Sequence, residues 1–416
     1  MGSKMKIDHM IHSKRIVIYG TGNTGKEFYN KFKNKLPIYA CTSSEENPQS
    51  IENMKVISYR EIDKGKDFLV ICSVSYQQIK KKLLLDGYEL YNDFCRSNIF
   101  EGLYSAQSQN KRIVIGVGQC EIREICETLS QINQFSQNFE VFYFDERKVC
   151  GHGDKFELTE YWECQPLLNM ADYLLKPSVF NPDAVEGFGK LLQWLRQECQ
   201  IINISLFDFD SYWPQDIASR RELSKYYIVK PGTKINAFAN RDQCIERFVD
   251  EKYSVKQIID KIVSLDFFDK DIVIKNHLRS IKRAKLTDRT ADIKVSEFIE
   301  NQCNVCKLYC DRGHFNEVLL KEYVKEILVK LNHGKGIEEL RDLSLNVMFQ
   351  RINELPIYPC TAHILKLEWI TEDTKYRMVA YDDIKLVTFN EYMERLIQYY
   401  MHAKQTLQNC YFGQID

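Results

Sequence analysis

Arg15-Ile-Val-Ile-Tyr19, Gly20-Thr-Gly-Asn-Thr-Gly25 and Lys26-Glu-Phe-Tyr-Asn-Lys-Phe32 follow one another without a gap. The first is a short β-branched run and the second a G-x-G-x-x-G turn. In the third, Phe28, Phe32 and Leu36 recur at helical spacing. Strand, glycine-rich turn and helix, in that order, open a Rossmann-type α/β unit. Further strands are read at Pro37–Cys41 and Asp67–Ser73, a helix at Gln77–Leu85, and extended chain at Tyr88–Phe94. Residues 14–100 are therefore expected to form one small Rossmann-type domain of nucleotide- or nucleotide-sugar-binding kind. Gly102–Asn110, polar and without period, reads as a linker.

A second start of the same kind follows. Lys111-Arg-Ile-Val-Ile-Gly-Val-Gly-Gln-Cys120 is again strand then turn. Glu121–Ile132 is an amphipathic helix with Ile122, Ile125, Cys126 and Leu129 on one side. Strands are expected at Glu140–Asp145 and Ile201–Phe207, and helices at Ala184–Gln200, Asp242–Leu265, Asp271–Arg283 and Phe315–Leu331. Thr388-x-x-Glu391 is a capping-box signature opening a Tyr- and Met-rich helix to about Lys404. The expected fold is α/β: an N-terminal parallel-sheet domain, then a larger helix-rich α/β domain over 111–416 with a strand–turn–Cys–helix turn.

Composition bounds the function. At roughly 100–200 residues per domain, the 416 residues allow two to four domains. Lys plus Arg is 57 against 58 for Asp plus Glu, a balance that argues against a dedicated nucleic-acid binder. No run of 18 apolar residues is present, so no spanning helix is expected. Met1–Ser13 is charged and lacks an apolar stretch, so it does not read as a secretory signal, and Met1-Gly2-Ser3 reads as a cloning remnant. The 14 Cys show no disulfide framework and read as reduced thiols of a cytoplasmic protein.

Four features carry chemistry. Gly20, Gly22 and Gly25 would let backbone N–H groups cradle a phosphate at a helix N-terminus. The acid expected about 20 residues on is missing: the chain there reads Thr42-Ser43-Ser44-Glu45, and a turn that only lets the helix pack close to the sheet is the other reading. Cys120, between Gly118-Gln119 and a helix, would be pushed toward thiolate by the helix dipole, or else is a buried structural thiol. Asp311-Arg-Gly-His314 lets a carboxylate orient an imidazole of the same turn, leaving the other ring nitrogen as a base; an incidental loop ion pair is the alternative. Lys275, Arg279, Lys282 and Arg283, with Lys285 and Arg289 beyond, form either a solvated face or a docking surface for a phosphorylated small molecule. Cys303-x2-Cys306-x3-Cys310-x3-His314 has the ligand types of a zinc site, but no second pair stands at finger spacing and the residues between suggest a short strand, so no metal is assigned.

The order of motifs resembles the WcbI-type capsule-polysaccharide acetyltransferase family over about residues 111–400. The resemblance rests on Ile115–Cys120, Asp172-Tyr-Leu-Leu-Lys-Pro177, Tyr212-Trp-Pro214, Arg289–Ile299, Lys307-Leu-Tyr-Cys-Asp-Arg-Gly-His314 and Leu355-Pro-Ile-Tyr-Pro359. It implies O-acetyl transfer from acetyl-CoA to a sugar of a surface-polysaccharide precursor. Cys120 is then nucleophile or thioester-positioning group, His314 the base, Asp311 its orienter and Gln119 an oxyanion donor. Gly118, Arg123, Lys282, Arg283 and Lys285 would meet coenzyme A. The family's turn usually reads Gly-Asn-Cys-Gln, and here it is Gly118-Gln119-Cys120-Glu121. The implied partners are acetyl-CoA and a carbohydrate acceptor, with the protein peripheral to a polysaccharide-assembly complex. A carbohydrate esterase and a non-catalytic nucleotide-sugar-binding scaffold are the alternatives.

Overall fold

The computed structural model describes residues 14–43, 50–52, 54–149, 164, 167–179, 185–216, 242–345, 352–380 and 383–412. Met1–Ser13, Ser44-Glu45 and Ala184, on which readings above rest, lie outside the described residues. The chain divides into two compact units, residues 1–176 with 180–201, and residues 177–179 with 202–416.

In the first unit β1 (Arg15–Tyr19) is buried from Ile16 onward and pairs parallel with both β2 (Ile38–Thr42) and β3 (Asp67–Ile71). With β4 (Phe94–Arg96) beside β3, the sheet order is β2-β1-β3-β4. The turn after β1 takes Gly20 to φ +119°, and helix α1 (Asn23–Phe32) follows. Phe28 and Phe32 of α1 join the core with Ile16 and Ile18. Helix α2 (Tyr76–Leu85) packs Tyr76, Ile79 and Leu83 with Val17 and Tyr19. Helices therefore cover both faces, as a parallel sheet requires.

The Gly102–Asn110 linker reading is corrected. Residues 102–108 complete helix α3 (Ser97–Ser108), which buries Ile99, Phe100, Leu103 and Ala106. The apolar spacing starts before the polar window, so the window alone hides it. The same core cluster takes in Ile113, Ile115, Val117 and Phe142 of a second sheet. That sheet comprises β5 (Arg112–Gly118), β6 (Phe139–Asp145), β7 (Tyr173–Pro177) and β8 (Gln200–Ile204), ordered β6-β5-β7-β8. Its central strand β5 runs parallel to β6 and β7. Helix α4 (Cys120–Gln131) buries Ile122, Ile125, Cys126 and Leu129, as the periodicity predicts. It lies so close to β5 that a side chain at Gly116 would overlap the Cys126 sulfur. Helix α5 (Val185–Leu192) is shorter than the Ala184–Gln200 expectation.

The second unit is mostly helical. The helix read at Asp242–Leu265 is two, α6 (Gln243–Asp250) and α7 (Val255–Ile262), separated where Lys252 turns to φ +63°. Asp242 caps the first and a Ser254/Gln257 capping box opens the second. Then come α8 (Lys270–Asp288), α9 (Ser296–Gln302), α10 (Glu317–Lys330), α11 (Pro359–Leu365), the antiparallel hairpin β9 (Lys375–Ala380) and β10 (Asp383–Thr388), and α12 (Phe389–Phe412). Thr388 and Glu391 form the box at the start of α12, as read. Ile245, Ile258, Tyr358, Tyr376, Tyr392, Ile397 and Tyr400 form this unit's helical core.

A Cβ at Gly25 would collide with the Gly20 carbonyl, whereas nothing lies within 4 Å of one at Gly22. Gly25→Ala is therefore expected to lower unfolding free energy by about 1–3 kcal/mol in urea titration, and Gly22→Ala to stay within about 0.5 kcal/mol of the parent.

Candidate functional site

In the first unit β5 ends at Gly118, opposite Asp145 of β6. Gln119 is extended (φ −89°, ψ −157°) and serves as N-cap without a side-chain cap bond, so Cys120 is the first helical residue of α4. Cys120 is half-buried, and its thiol donates to Glu121 Oε2 at 3.4 Å. The Tyr143 hydroxyl donates to the Gly118 and Gln119 carbonyls at 3.1 and 3.3 Å, fixing the turn from below. The Gln119 side-chain amide donates to Glu146. Glu146 is buried, which raises its carboxyl above the usual range, partly opposed by the Gln119 bond. Arg123 pairs with Glu127 one turn along the same helix, at 2.6 Å. The α4 N–H groups, without a side-chain cap, are the donors this turn offers an anion.

In the second unit Asp311 and His314 form a closed loop. Asp311 Oδ1 accepts from the backbone N–H groups of Gly313 and His314, each at 2.9 Å. Both carboxylate oxygens lie on His314 Nδ1, at 2.9 and 2.8 Å. A carboxylate holding Nδ1 fixes the tautomer and leaves Nε2 as the proton acceptor. A Tyr309–Phe315 bridge and a Cys310 N–H bond to the His314 carbonyl (2.8 Å) pin the loop's ends. His314 precedes α10 on a connection, as expected, and Asn316 caps that helix.

Residues 208–213 buttress this loop. The Phe209 N–H donates to the Arg312 carbonyl at 2.7 Å, and its ring stacks on Tyr309 at 4.8 Å. The Tyr212 hydroxyl donates to the Cys303 carbonyl at 2.7 Å, and Trp213 Nε1 to the Leu355 carbonyl at 3.2 Å. From α8, Asn276 Nδ2 donates to the Asp210 carbonyl (2.6 Å), and Ser211 Oγ lies 2.8 Å from His277 Nδ1. Burial lowers the pKa of His277. Arg283 donates to the Asp208 carbonyl at 2.8 Å and to the buried Asp210 carboxylate at 2.9 Å.

The three cations expected at coenzyme A phosphates thus do not share a face. Arg283 turns inward, Lys285 pairs with Glu300 of α9 at 2.6 Å, and Lys282 is exposed. Glu146, Tyr143 and the Ser211/His277 pair carried no local sequence signal, since their partners lie 24 to 66 residues away. Cys303 and Cys306 close the end of α9 instead of lying on a strand. Among the described residues no three His, Cys, Asp or Glu side chains gather as a metal site. The other glycine turn keeps Gly22 open at the start of α1, which has neither side-chain cap nor acid in its first turn.

Comparison with known proteins yields two likenesses. Residues 12–92 match the family model C2185-like, N-terminal. A solved structure of WcbI resembles the chain at TM-score 0.52 and 12% identity, covering 70% of this chain and 90% of that one. That protein is described as a novel polysaccharide biosynthesis enzyme, in native form without a disulfide between coenzyme A and one of its cysteines. At this identity the likeness shows a WcbI-like fold. No curated protein matches the chain.

Two outcomes follow from the geometry. Arg283→Ala, which leaves the buried Asp210 carboxylate only the longer 4.0 Å ion pair with Arg279, is expected to cost about 3 kcal/mol in chemical denaturation, while Lys282→Ala changes stability by less than about 0.5 kcal/mol. Glu146 binds its proton more tightly folded than unfolded, so its contribution to stability declines as pH rises from its ordinary 4.5 through the raised value. In Glu146→Gln that part of the pH dependence should vanish from a denaturation series.

Proposed function

We propose that this chain is an acyltransferase of polysaccharide biosynthesis that moves an acetyl group from coenzyme A to a sugar hydroxyl. The observation that carries the reading is the Asp311–His314 loop, in which a carboxylate holding Nδ1 sets Nε2 to take a proton. The WcbI-like fold and the uncapped helix start at Cys120 support it.

Acetyl-CoA supplies the activated acyl group. His314 removes the proton from the attacking hydroxyl or thiol, Asp311 stabilises the imidazolium that results, and that proton passes to the coenzyme A sulfur as the thioester C–S bond breaks and coenzyme A leaves as the thiol. Cys120 acts as nucleophile or holds the thioester beside the α4 N–H groups, which stabilise negative charge on the carbonyl oxygen. Gln119 contributes to that stabilisation only through an N–H not already given to Glu146. Gly118 brings the backbone close, and Arg123 must leave Glu127 to reach a phosphate. Residues 14–100 serve as a nucleotide- or nucleotide-sugar-binding module through Gly20, Gly22 and Gly25, and residues 111–416 as the transferase module. With Arg283 and Lys285 engaged by carboxylates, a CoA versus dephospho-CoA comparison on Lys282, Arg283 and Lys285 variants decides whether they meet phosphate.

A thermal-shift panel of CoA, acetyl-CoA, NAD and UDP-sugars tests the ligand. Saturation at 100-fold the Kd adds about 2.7 kcal/mol, and a chain that responds to UDP-sugar alone overturns the transferase. For the chemistry, Cys120→Ala and His314→Ala should each abolish transfer while retaining CoA binding. The double variant should be no slower than either single one, since residues acting in one step are non-additive. Undiminished transfer by Cys120→Ala leaves direct attack by the sugar hydroxyl.

A further inference from the structure

We propose that the outer face of α8 docks this protein onto an anionic membrane surface. The helix spans 19 residues, Lys270–Asp288, and buries Val273, Asn276, Ser280, Ile281, Ala284 and Asp288 along one side. The opposite arc carries Lys275 and Lys282, with Arg289 just beyond, at a seven-residue interval that keeps them on one line. Between them stand Ile272, Leu278 and Leu286, exposed to 46%, 61% and 45%. Asp271, at the helix start, is the one acid on this arc.

The same unit supplies a comparison. Helix α10 also exposes aliphatic residues, Val318 and Val329, but its lysines are matched: Lys321 with Glu317, Lys325 with Glu322, and Lys330 with Asp292. Among the described residues Lys275, Lys282 and Arg289 make no ion pair, while their neighbour Lys285 does. The chain as a whole has a net charge of −1, so the row of unmatched cations on this face is not a consequence of overall charge.

The pattern selects the partner. Protein interfaces concentrate aromatic side chains in an apolar centre and are depleted of lysine. Here the aliphatic groups are separated by lysines, and no aromatic residue joins them. Lysine stems and aliphatic side chains on one helical face, lying flat, match an interface of acidic headgroups over acyl chains. No helix among the described residues is long and apolar enough to cross a membrane. This inference does not rest on the acyl-transfer chemistry and shares only Lys282 with the coenzyme A reading.

Cosedimentation of the full chain with phosphatidylcholine vesicles, with and without about 30% phosphatidylglycerol, tests it. Binding is expected to the anionic vesicles only and to be lost at high salt. Each cation removed should weaken binding about 5-fold, so Lys275→Ala with Lys282→Ala gives about 25-fold. Leu278→Ala with Leu286→Ala, which keep the helix and its charge, should weaken it several-fold more than Lys321→Ala with Lys330→Ala on α10. Circular dichroism confirms that each variant is folded. Absence of vesicle binding overturns the proposal, even if an acidic protein binds the face. Equal binding to neutral vesicles, or anionic binding that the α8 variants leave unchanged, overturns it as well.

Discussion

The Arg283 guanidinium donates to the Asp208 carbonyl and the Asp210 carboxylate at once, and the histidine loop hangs from that contact. Asp210 is nearly inaccessible, and a carboxylate in that position is costly unless a cation and hydrogen bonds compensate it. With Asp210 fixed, Phe209 can both stack on Tyr309 and hold the Arg312 carbonyl. Tyr309 and Arg312 flank Asp311, so the carboxylate that orients His314 inherits its position from an arginine on another helix. The arrangement explains why a cation read as a phosphate ligand faces the interior.

The first unit applies one solution twice. In a parallel sheet every strand ends on the same edge, where each following helix presents unbonded N–H groups. After β1 the turn is made of glycines, and Gly25 lets the helix touch the turn's own carbonyl. After β5 the turn is Gly118-Gln119-Cys120, and side chains replace empty space: Tyr143 holds the carbonyls and Glu146 takes the Gln119 amide. One turn is left open, and the other is furnished with a thiol. Both helices start without a side-chain cap, unlike α6, α7, α8 and α10, where Asp242, Ser254, Asp269 and Asn316 supply one.

The sequence shows its local periodicities and its turns clearly, so the α/β class, both strand–turn–helix openings, the α12 capping box and the Asp311–His314 pairing are legible in it. Each is a contact within a few residues. What it conceals is long-range partnership. Gly102–Asn110 looks like a linker because its buried side belongs to a pattern begun at Ile99 and completed by Phe142 of another sheet. Lys282, Arg283 and Lys285 look like one patch because they fall within four residues, yet Asp210 and Glu300 pull two of them to different sides of α8. Ser211 and His277 are 66 residues apart and become neighbours only when α8 lies along the 208–213 segment.

The absence of a side chain at Gly116 lets α4 settle against β5 with the Cys126 sulfur in the space a methyl would fill. Cys120 lies on the same helix, fewer than two turns away, so the height of its thiol above the strand is set by that vacancy and that sulfur together. Neither residue can change alone. Along any line of descent, enlarging position 116 requires a smaller atom at 126, and bulk gained at 126 would lift the helix and its first residue away from the turn. The two positions should therefore be inherited as a couple.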